Sequence, residues 1–366
     1  MKVRLLISII VVLCLNASLL FAQTNEKWEQ LVAAAQQEGK VVVSIPSSAD
    51  LRNGLQKAFK QRYGIQVETV TARGSASVRK IADEYKAGVR YFDLHLGGSQ
   101  SIVTGLLPEG ILEPVANSFL LSEVTDTKNW WGGHIWTDNA KKFIYTSLAY
   151  STENLWYNAE LMKPEEIRSF DDLLKEKWKG KMGFLDPRTP GSGASLWSYL
   201  REIKGEGFLK QLVEQQLVLG RDQRVLAENV AKGKLTLVMG LTYYSFAPFV
   251  KAGLPVHPLP EPKEGVYVSG GSGHLVVLKD APHPNATKVF VNWLLGKEGQ
   301  DIFSRTMGQG TRRLDVDTKW LKEVGVTAAK DIYPPEEYAK RENNSEEKIH
   351  TVREPAAALA RKLLGQ

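Results

Sequence analysis

The chain has 366 residues, 43% of them apolar and 24% charged, which excludes a disordered or fibrous protein and leaves room for two domains. Its one cysteine, Cys14, lies in the N-terminal apolar run, so disulfides, thiolate metal ligands and a cysteine nucleophile are excluded from everything downstream. The net charge of +6 comes from basic residues dispersed among acids rather than clustered with aromatics, which argues against a nucleic-acid partner.

Residues 1–22 carry the pattern of a secretory signal peptide: Lys2 and Arg4, an apolar run from Leu5 to Leu15, and small residues leading to Ala22. Leu20, three residues before the expected cut, is larger than the usual residue there, so an uncleaved single-span anchor is the alternative. Cys14 follows Leu13, which is not a lipid-attachment context. Loss of the leader takes the charge from +6 to +4, a mild field that favours an anionic ligand. Export of a thiol-free chain suits a bacterial periplasm.

Downstream, helical and strand patterns alternate. Trp28, Leu31, Val32 and Ala35 mark a helix face, and Val41–Ile45 reads as a buried strand. A helix through Leu51, Leu55 and Phe59 stops at Gly64, and a strand follows over Ile65–Val70. Ser75 starts a third helix, which ends at Gly88 before the strand Tyr91–Leu96. This rhythm implies βαβ units and a mainly parallel sheet.

An aromatic segment, 129–136, and an extended apolar one, Ile144–Tyr157, then read as the first passage between domains. Order returns with a helix starting at Ser169, a strand over Lys181–Leu185, a helix over Leu196–Ile203, a helix capped by Asp222, and a strand over Leu235–Met239. The Pro-rich stretch Pro255–Pro262 reads as a second crossing. Strands at Val266–Val268 and Leu275–Leu278 and one long helix over Asn285–Arg305 follow. The charged tail after Pro334 reads as exposed helices.

Five loops between a strand and the next helix are rich in Ser, Thr or Gly: Pro46–Ser48, Arg73–Ser75, Gly97–Ser99, Thr189–Gly193 and Leu241–Tyr244. Ligands of open parallel sheets bind beyond the carboxyl ends of the strands, where helix N-termini offer N–H groups and a positive dipole. The candidate ligand residues are therefore Ser47, Ser48, Arg73, Gly74, Ser75, Ser99, Arg188, Ser192, Tyr243 and Tyr244. Arg73 and Arg188 could hold an anion with two hydrogen bonds, or could pair with nearby acids. The Ser and Gly residues could equally serve only as caps and turns. Gly270–Gly273 lacks the Lys of a phosphate-binding loop and reads as tight turns at the domain boundary.

The six histidines, His95, His134, His257, His274, His283 and His350, show no zinc spacing and read as structural. No Gly-x-Ser-x-Gly elbow occurs, and Asp171-Asp172 reads as the first turn of a helix. No catalytic residue and no cofactor is expected. An enzyme on the same fold is the alternative, as is a membrane-tethered sensor if the leader is retained.

The order of several short motifs, among them Ala87–Leu94, Gly110–Pro114, Leu155–Asn158, Asp186–Gly193 and Pro284–Leu294, resembles the extracellular solute-binding proteins of ABC importers, in the branch that contains the ferric-iron-binding proteins. The resemblance runs from about residue 27 to residue 318. It implies an α/β, two-lobed type II periplasmic binding protein fold with two crossover strands and a central ligand cleft that closes by hinge motion. On that pattern 23–145 and 264–330 form the first lobe, 146–263 the second, and 331–366 a charged helical tail. The implied protein is a monomeric periplasmic carrier that serves an inner-membrane permease.

In ferric members two consecutive tyrosines after a second-lobe strand bind iron, and Tyr243-Tyr244 match that position. Phenolate oxygens suit a hard cation, so Fe3+ as transported ligand is one expectation and a small organic or phosphorylated anion the other. The chain departs from the ferric pattern. Its loop Ser44–Ala49 has no histidine and no first-lobe glutamate matches, which leaves Tyr145 or Tyr150 as possible further ligands by position.

Overall fold

A computed structural model describes residues 26–71, 75–152 and 154–365; the signal peptide expected at 1–22 and the candidate residues Arg73 and Gly74 lie outside them. In chain order, α1 (26–38) is followed by β1 (Lys40–Ile45), α2 (Ala49–Tyr63), β2 (Gln66–Thr71), α3 (Ser75–Lys86), β3 (Leu94–Gly97) and α4 (Ser99–Gly105). A looser segment holds β4 (Leu112–Glu113) and α5 (Ser122–Thr125) and leads to β5 (Tyr145–Thr146), β6 (Tyr150–Thr152) and β7 (Leu155–Asn158). Next come β8 (Met182–Leu185), α6 (Ser192–Glu214), β9 (Val218–Gly220), α7 (Gln223–Ala231), β10 (Leu237–Met239), α8 (Tyr243–Lys251) and β11 (Val256–Pro258). The chain returns through β12 (Tyr267–Ser269) to β13 (His274–Leu278), α9 (Pro284–Leu295), α10 (Lys297–Met307) and β14 (Val326–Ala328), and continues as α11 (Pro335–Arg341), α12 (Glu346–Lys348) and α13 (Glu354–Leu364).

These strands make two lobes. The first sheet has the order β2-β1-β3-β13-β4, with β5 also on β13; the second has the order β11-β7-β10-β8-β9. In each, the inner strands run parallel and a returning strand pairs antiparallel. Val41, Val43 and Ile45 face a core with Leu55, Phe59 and Phe290, while Val42 faces Val78, Ile81 and Ile102 on the other side. A strand covered on both faces reads as an unbroken apolar run, which is why β1 is legible as Val-Val-Val.

A third, antiparallel sheet, β12-β6-β14, joins the lobes, with β6 and β12 as the two crossover strands. Three expectations are corrected here. The Pro-rich stretch Pro255–Pro262 is not the crossing: β11 within it pairs only with β7, an edge position that tolerates Pro258, and β12 does the crossing. The helix expected over Asn285–Arg305 is two helices, because Gly296 adopts extended backbone (φ −70°, ψ 171°) between them. The tail is not a set of exposed helices. Ile349 is buried in the first lobe's core, and Ala356, Leu359 and Ala360 pack into the second.

His95 and His274 sit on adjacent strands of the first sheet with buried rings and no partner for either Nε2. The Nδ1 of His95 is 2.9 Å from Ser44 Oγ, which donates to Ser77 Oγ at 3.0 Å. Burial draws both imidazoles down to a pKa of about 4. In the unfolded chain a histidine titrates near 6.5, so between that pH and about 4 the unfolded state binds protons that the folded state refuses. Their contribution is complete above the unfolded pKa and is lost as pH falls. The melting temperature should therefore drop between pH 6.5 and 4, and the slope of melting temperature against pH should be shallower in a His95→Asn, His274→Asn double variant. An unchanged slope would contradict the assignment.

Candidate functional site

Strands β8 and β10 are parallel neighbours, so α6 and α8, which follow them, begin side by side on the face of the second lobe turned to the first. Two glycines allow this approach. A Cβ on Gly240 (φ +84°) would lie 2.7 Å from Gly193 Cα, and one on Gly193 would overlap the Leu185 carbonyl oxygen. Neither helix has a side-chain N-cap: Gly191 precedes α6, and Thr242, which precedes α8, makes no cap bond. Thr242 Oγ1 is buried beside the Tyr244 hydroxyl. The N–H groups and positive dipole ends of both helices are thus free of side-chain caps at the seam between the lobes.

The crossover sheet forms the floor. Tyr150, Tyr244 and Tyr267 lie within electrostatic range of one another, and burial raises the pKa of all three. All stay neutral phenols at physiological pH. Asn154 Nδ2 donates to the Tyr267 hydroxyl at 2.8 Å. The loop Gly270–Gly273 comes so close that a Cβ on Gly271 would lie 2.5 Å from the Tyr150 hydroxyl, which gives those glycines their boundary role.

The third contribution is from the C-terminal segment. Arg353 ends a single π-helical turn (Ile349–Arg353) and is only 4% exposed. Its Nη2 donates to Ser195 Oγ at 2.7 Å in the second lobe, and its Nη1 reaches Ser99 Oγ at 3.4 Å in the first. Asn344 Oδ1 accepts long bonds, 3.4 Å each, from Ser99 and Ser269. Arg353 Nε and Asn344 Nδ2 have no partner. Among the described residues no acidic side chain forms an ion pair with Arg353. Burial lowers its pKa to about 10, so the guanidinium remains charged at neutral pH.

Of the expected ligand residues, Ser99, Tyr243 and Tyr244 stand at the seam. Tyr244 packs toward the first lobe's core, while Tyr243 lies against Trp156 and Gly308. Consecutive helical residues point about 100° apart, which explains the different surroundings of the two phenols. The others have different surroundings. Ser48 caps α2, accepting from Leu51 N at 3.2 Å, and Ser47 is exposed. Ser75 opens α3, as its position in the sequence suggests. Ser192 turns its hydroxyl to Gly240 O at 2.6 Å, within its own lobe. Arg188 does not reach for a ligand: it grips buried Asp186 with Nε at 2.8 Å and Nη2 at 3.0 Å, and it also bonds Gly365 O. Tyr145 is buried in the first lobe's core beside His134 and Trp130.

Sequence reasoning missed Asn154, Ser195, Tyr267, Asn344 and Arg353. The signal available for the last was Pro355, which lacks the N–H for the carbonyl four residues back and so favours a widened turn just before it. Among the described residues no group of three His, Cys, Asp or Glu side chains could hold a metal ion.

Comparison with known proteins agrees with the fold. The model of the bacterial extracellular solute-binding protein family matches residues 40–306. An uncharacterized protein of Haemophilus influenzae is 24% identical over 280 residues, covering 74% of this chain and 76% of that one. The Fe(3+)-binding periplasmic protein of Serratia marcescens is 26% identical over 166 residues, 42% of this chain and 47% of that one. Among solved structures, the ferric binding protein from Campylobacter jejuni superposes with a TM-score of 0.65 at 17% identity, over 88% of this chain and 99% of that one. The periplasmic binding protein AfuA from Actinobacillus pleuropneumoniae, with fructose-6-phosphate bound, gives 0.61 at 19% identity, over 88% and 98%.

The glycine contact that sets the two helix starts side by side can be tested against a second glycine of α6. Gly193→Ala should cost about 1–3 kcal/mol, because the methyl group meets backbone that cannot move aside. Gly207→Ala, in the helical stretch beyond the break that Gly205 (φ +78°) makes in α6 and with open space around its Cα, should be neutral or stabilising by up to about 1 kcal/mol. Denaturant midpoints of the two variants measure this, and equal values would refute the packing argument.

Proposed function

We propose that this chain, which belongs to the bacterial extracellular solute-binding protein family, is the periplasmic ligand-capturing component of an ABC importer and takes a small anionic solute into the seam between its lobes. The observation that carries the reading is a pair of buried side chains with unpartnered polar atoms, Asn344 Nδ2 and Arg353 Nε, which meet at Ser99 between the two lobes. Buried polar atoms are nearly always satisfied, and two neighbouring exceptions, both donors, call for an acceptor from outside the chain. The uncapped starts of α6 and α8 act in the same sense. The reading is of binding without turnover, since none of these groups is a nucleophile beside a base.

A second reading, ferric iron, is favoured by Tyr243-Tyr244 at the start of α8 and by the resemblance to the Serratia marcescens protein. The positive charge of Arg353 near the Tyr267 phenol opposes a bare cation at the seam, so iron would enter with an anion beside it.

A thermal-shift series separates these readings. A solute that binds only the folded state stabilises it by about 2.7 kcal/mol at one hundred times its Kd. Citrate, phosphate monoesters, phosphonates and small carboxylates are expected to include one that raises the melting temperature by several degrees, with neutral polyols giving none. Iron loading should then leave the protein colourless after desalting. A phenolate-to-iron absorption band lost in a Tyr243→Phe, Tyr244→Phe variant would replace the first reading with the second, and no shift with any anion would overturn the first.

A further inference from the structure

We propose that the C-terminal segment from Asn343 to Arg353 is a third wall of the binding site, and that Arg353 on it is the residue that makes the site select anions. This rests on the reading that the ligand sits between the lobes. The segment is held by both of them. Upstream of Arg353, Ile349 is buried with Ile102 and Val103 of α4's region in the first lobe. Downstream, α13 packs on α6, Trp197 Nε1 donates to Ala356 O at 3.0 Å, and Arg188 bonds Gly365 O at 2.8 Å in the second lobe. Arg353 lies between these anchors, so its backbone position is fixed from two sides.

The guanidinium differs from other arginines at or below the seam in what it faces. Arg188 and Arg221 share Asp186, and Arg313 pairs with Asp315. Arg312, also buried, without a carboxylate and with an unpartnered Nε, is nonetheless satisfied at both Nη atoms by the carbonyls of Thr146, Trp131 and Gly133. Arg353 has one short bond, to a neutral hydroxyl, and two long ones, to Ser99 Oγ and to Gly191 O at 3.5 Å. A buried cation with so few acceptors is stabilised by an incoming negative charge more than any other group at the seam. Asn344 adds a free amide donor beside it and is itself 6% exposed. The π-turn explains how the side chain arrives there. Because Pro355 cannot donate to Thr351 O, the helix widens by a residue at Arg353, and this sets the direction in which its side chain leaves the axis.

The test is calorimetric binding of citrate, inorganic phosphate and glycerol 3-phosphate, with glycerol as the neutral control, to the full-length mature protein and its variants. Whichever of the anions binds the wild type should lose about 10- to 100-fold in affinity in Arg353→Gln, the range for a hydrogen bond to a charged group, and recover partly in Arg353→Lys. Should Arg353→Gln not fold, Asn344→Asp decides: a carboxylate beside the guanidinium competes for it, so anion affinity should fall with the arginine still present. Wild-type affinity for the anion in a folded Arg353→Gln or Asn344→Asp protein overturns the third wall and leaves an anion carrier built from the lobes alone. Failure of every anion to bind the wild type overturns the anion-carrier reading, and the third wall with it.

Discussion

The antiparallel pairing of β6 with β12, Tyr150 opposite Ser269 and Thr152 opposite Tyr267, is the constraint on which the seam depends. Residues directly opposite share a face of the sheet, so this register places Tyr150, Tyr267 and Ser269 on one side, toward the space between the lobes. A slip of one residue would turn both phenols away. The register is held from the other edge of β6 by β14, with Ala328 opposite Tyr150 and Val326 opposite Thr152. Strands of three residues make a narrow sheet, and the same element that fixes the register of these phenols also connects the lobes.

Around this floor the chemistry is asymmetric. The second lobe brings helix starts, the first lobe a serine and glycine loops, and the C-terminal segment a guanidinium and an amide. What is missing is a carboxylate paired with Arg353. The acids near the seam are already engaged: Asp186 by two arginines, which with its backbone bond hold its pKa to about 2 despite burial, Asp50 by Lys251, and Glu342, whose charge is felt at Arg353, by Lys348 and the N–H of Ser345. Leaving a buried cation without an ion pair costs stability. Function is the usual reason such a group persists. The deficit is the same quantity that an anionic ligand would recover on binding.

The fold was legible where local pattern and tertiary role coincide. Val41–Ile45 reads as a strand because burial on both faces demands uninterrupted apolar residues, and Ser48 and Gly64 bracket α2 by cap chemistry that operates within one turn. The site was legible only in part. Tyr243-Tyr244 and Ser99 could be placed by the rule that loops at the carboxyl ends of strands face the cleft. Arg188 obeys that rule as well, yet its fork is taken by Asp186 two residues earlier, a short-range pairing that competes with any ligand role. Arg353 obeys no such rule. It lies 162 residues from Gly191, to which it bonds, in a charged stretch whose composition reads as solvent-facing helix. Only the packing of Ile349 on one lobe and Ala356 on the other turns that stretch inward, and neither contact has a local sequence signature.

Among the described residues two sets of polar contacts, beside the packing of Tyr243 and Tyr244 on the first lobe, join the lobes away from the crossover sheet, and their magnitudes bear on how the seam stays shut. Lys251 Nζ meets Asp50 Oδ2 at 2.6 Å between the end of α8 and the start of α2, with both side chains largely exposed. Such a pair is worth roughly 0–1 kcal/mol and is weakened by salt. The buried net of Ser99, Arg353 and Ser195 has one short bond and is opposed by the desolvation of the guanidinium. Moving a population from almost all open to almost all closed takes about 5.5 kcal/mol of differential affinity, more than either set supplies. A charge-assisted hydrogen bond contributes about 1.5–3 kcal/mol, so about two to four that exist only in the closed arrangement are required. A solute reaching only one lobe would bind without closing the protein. Stable closure therefore selects ligands long enough, and charged enough, to engage the helix starts of the second lobe, Ser99 of the first and Arg353 between them at once.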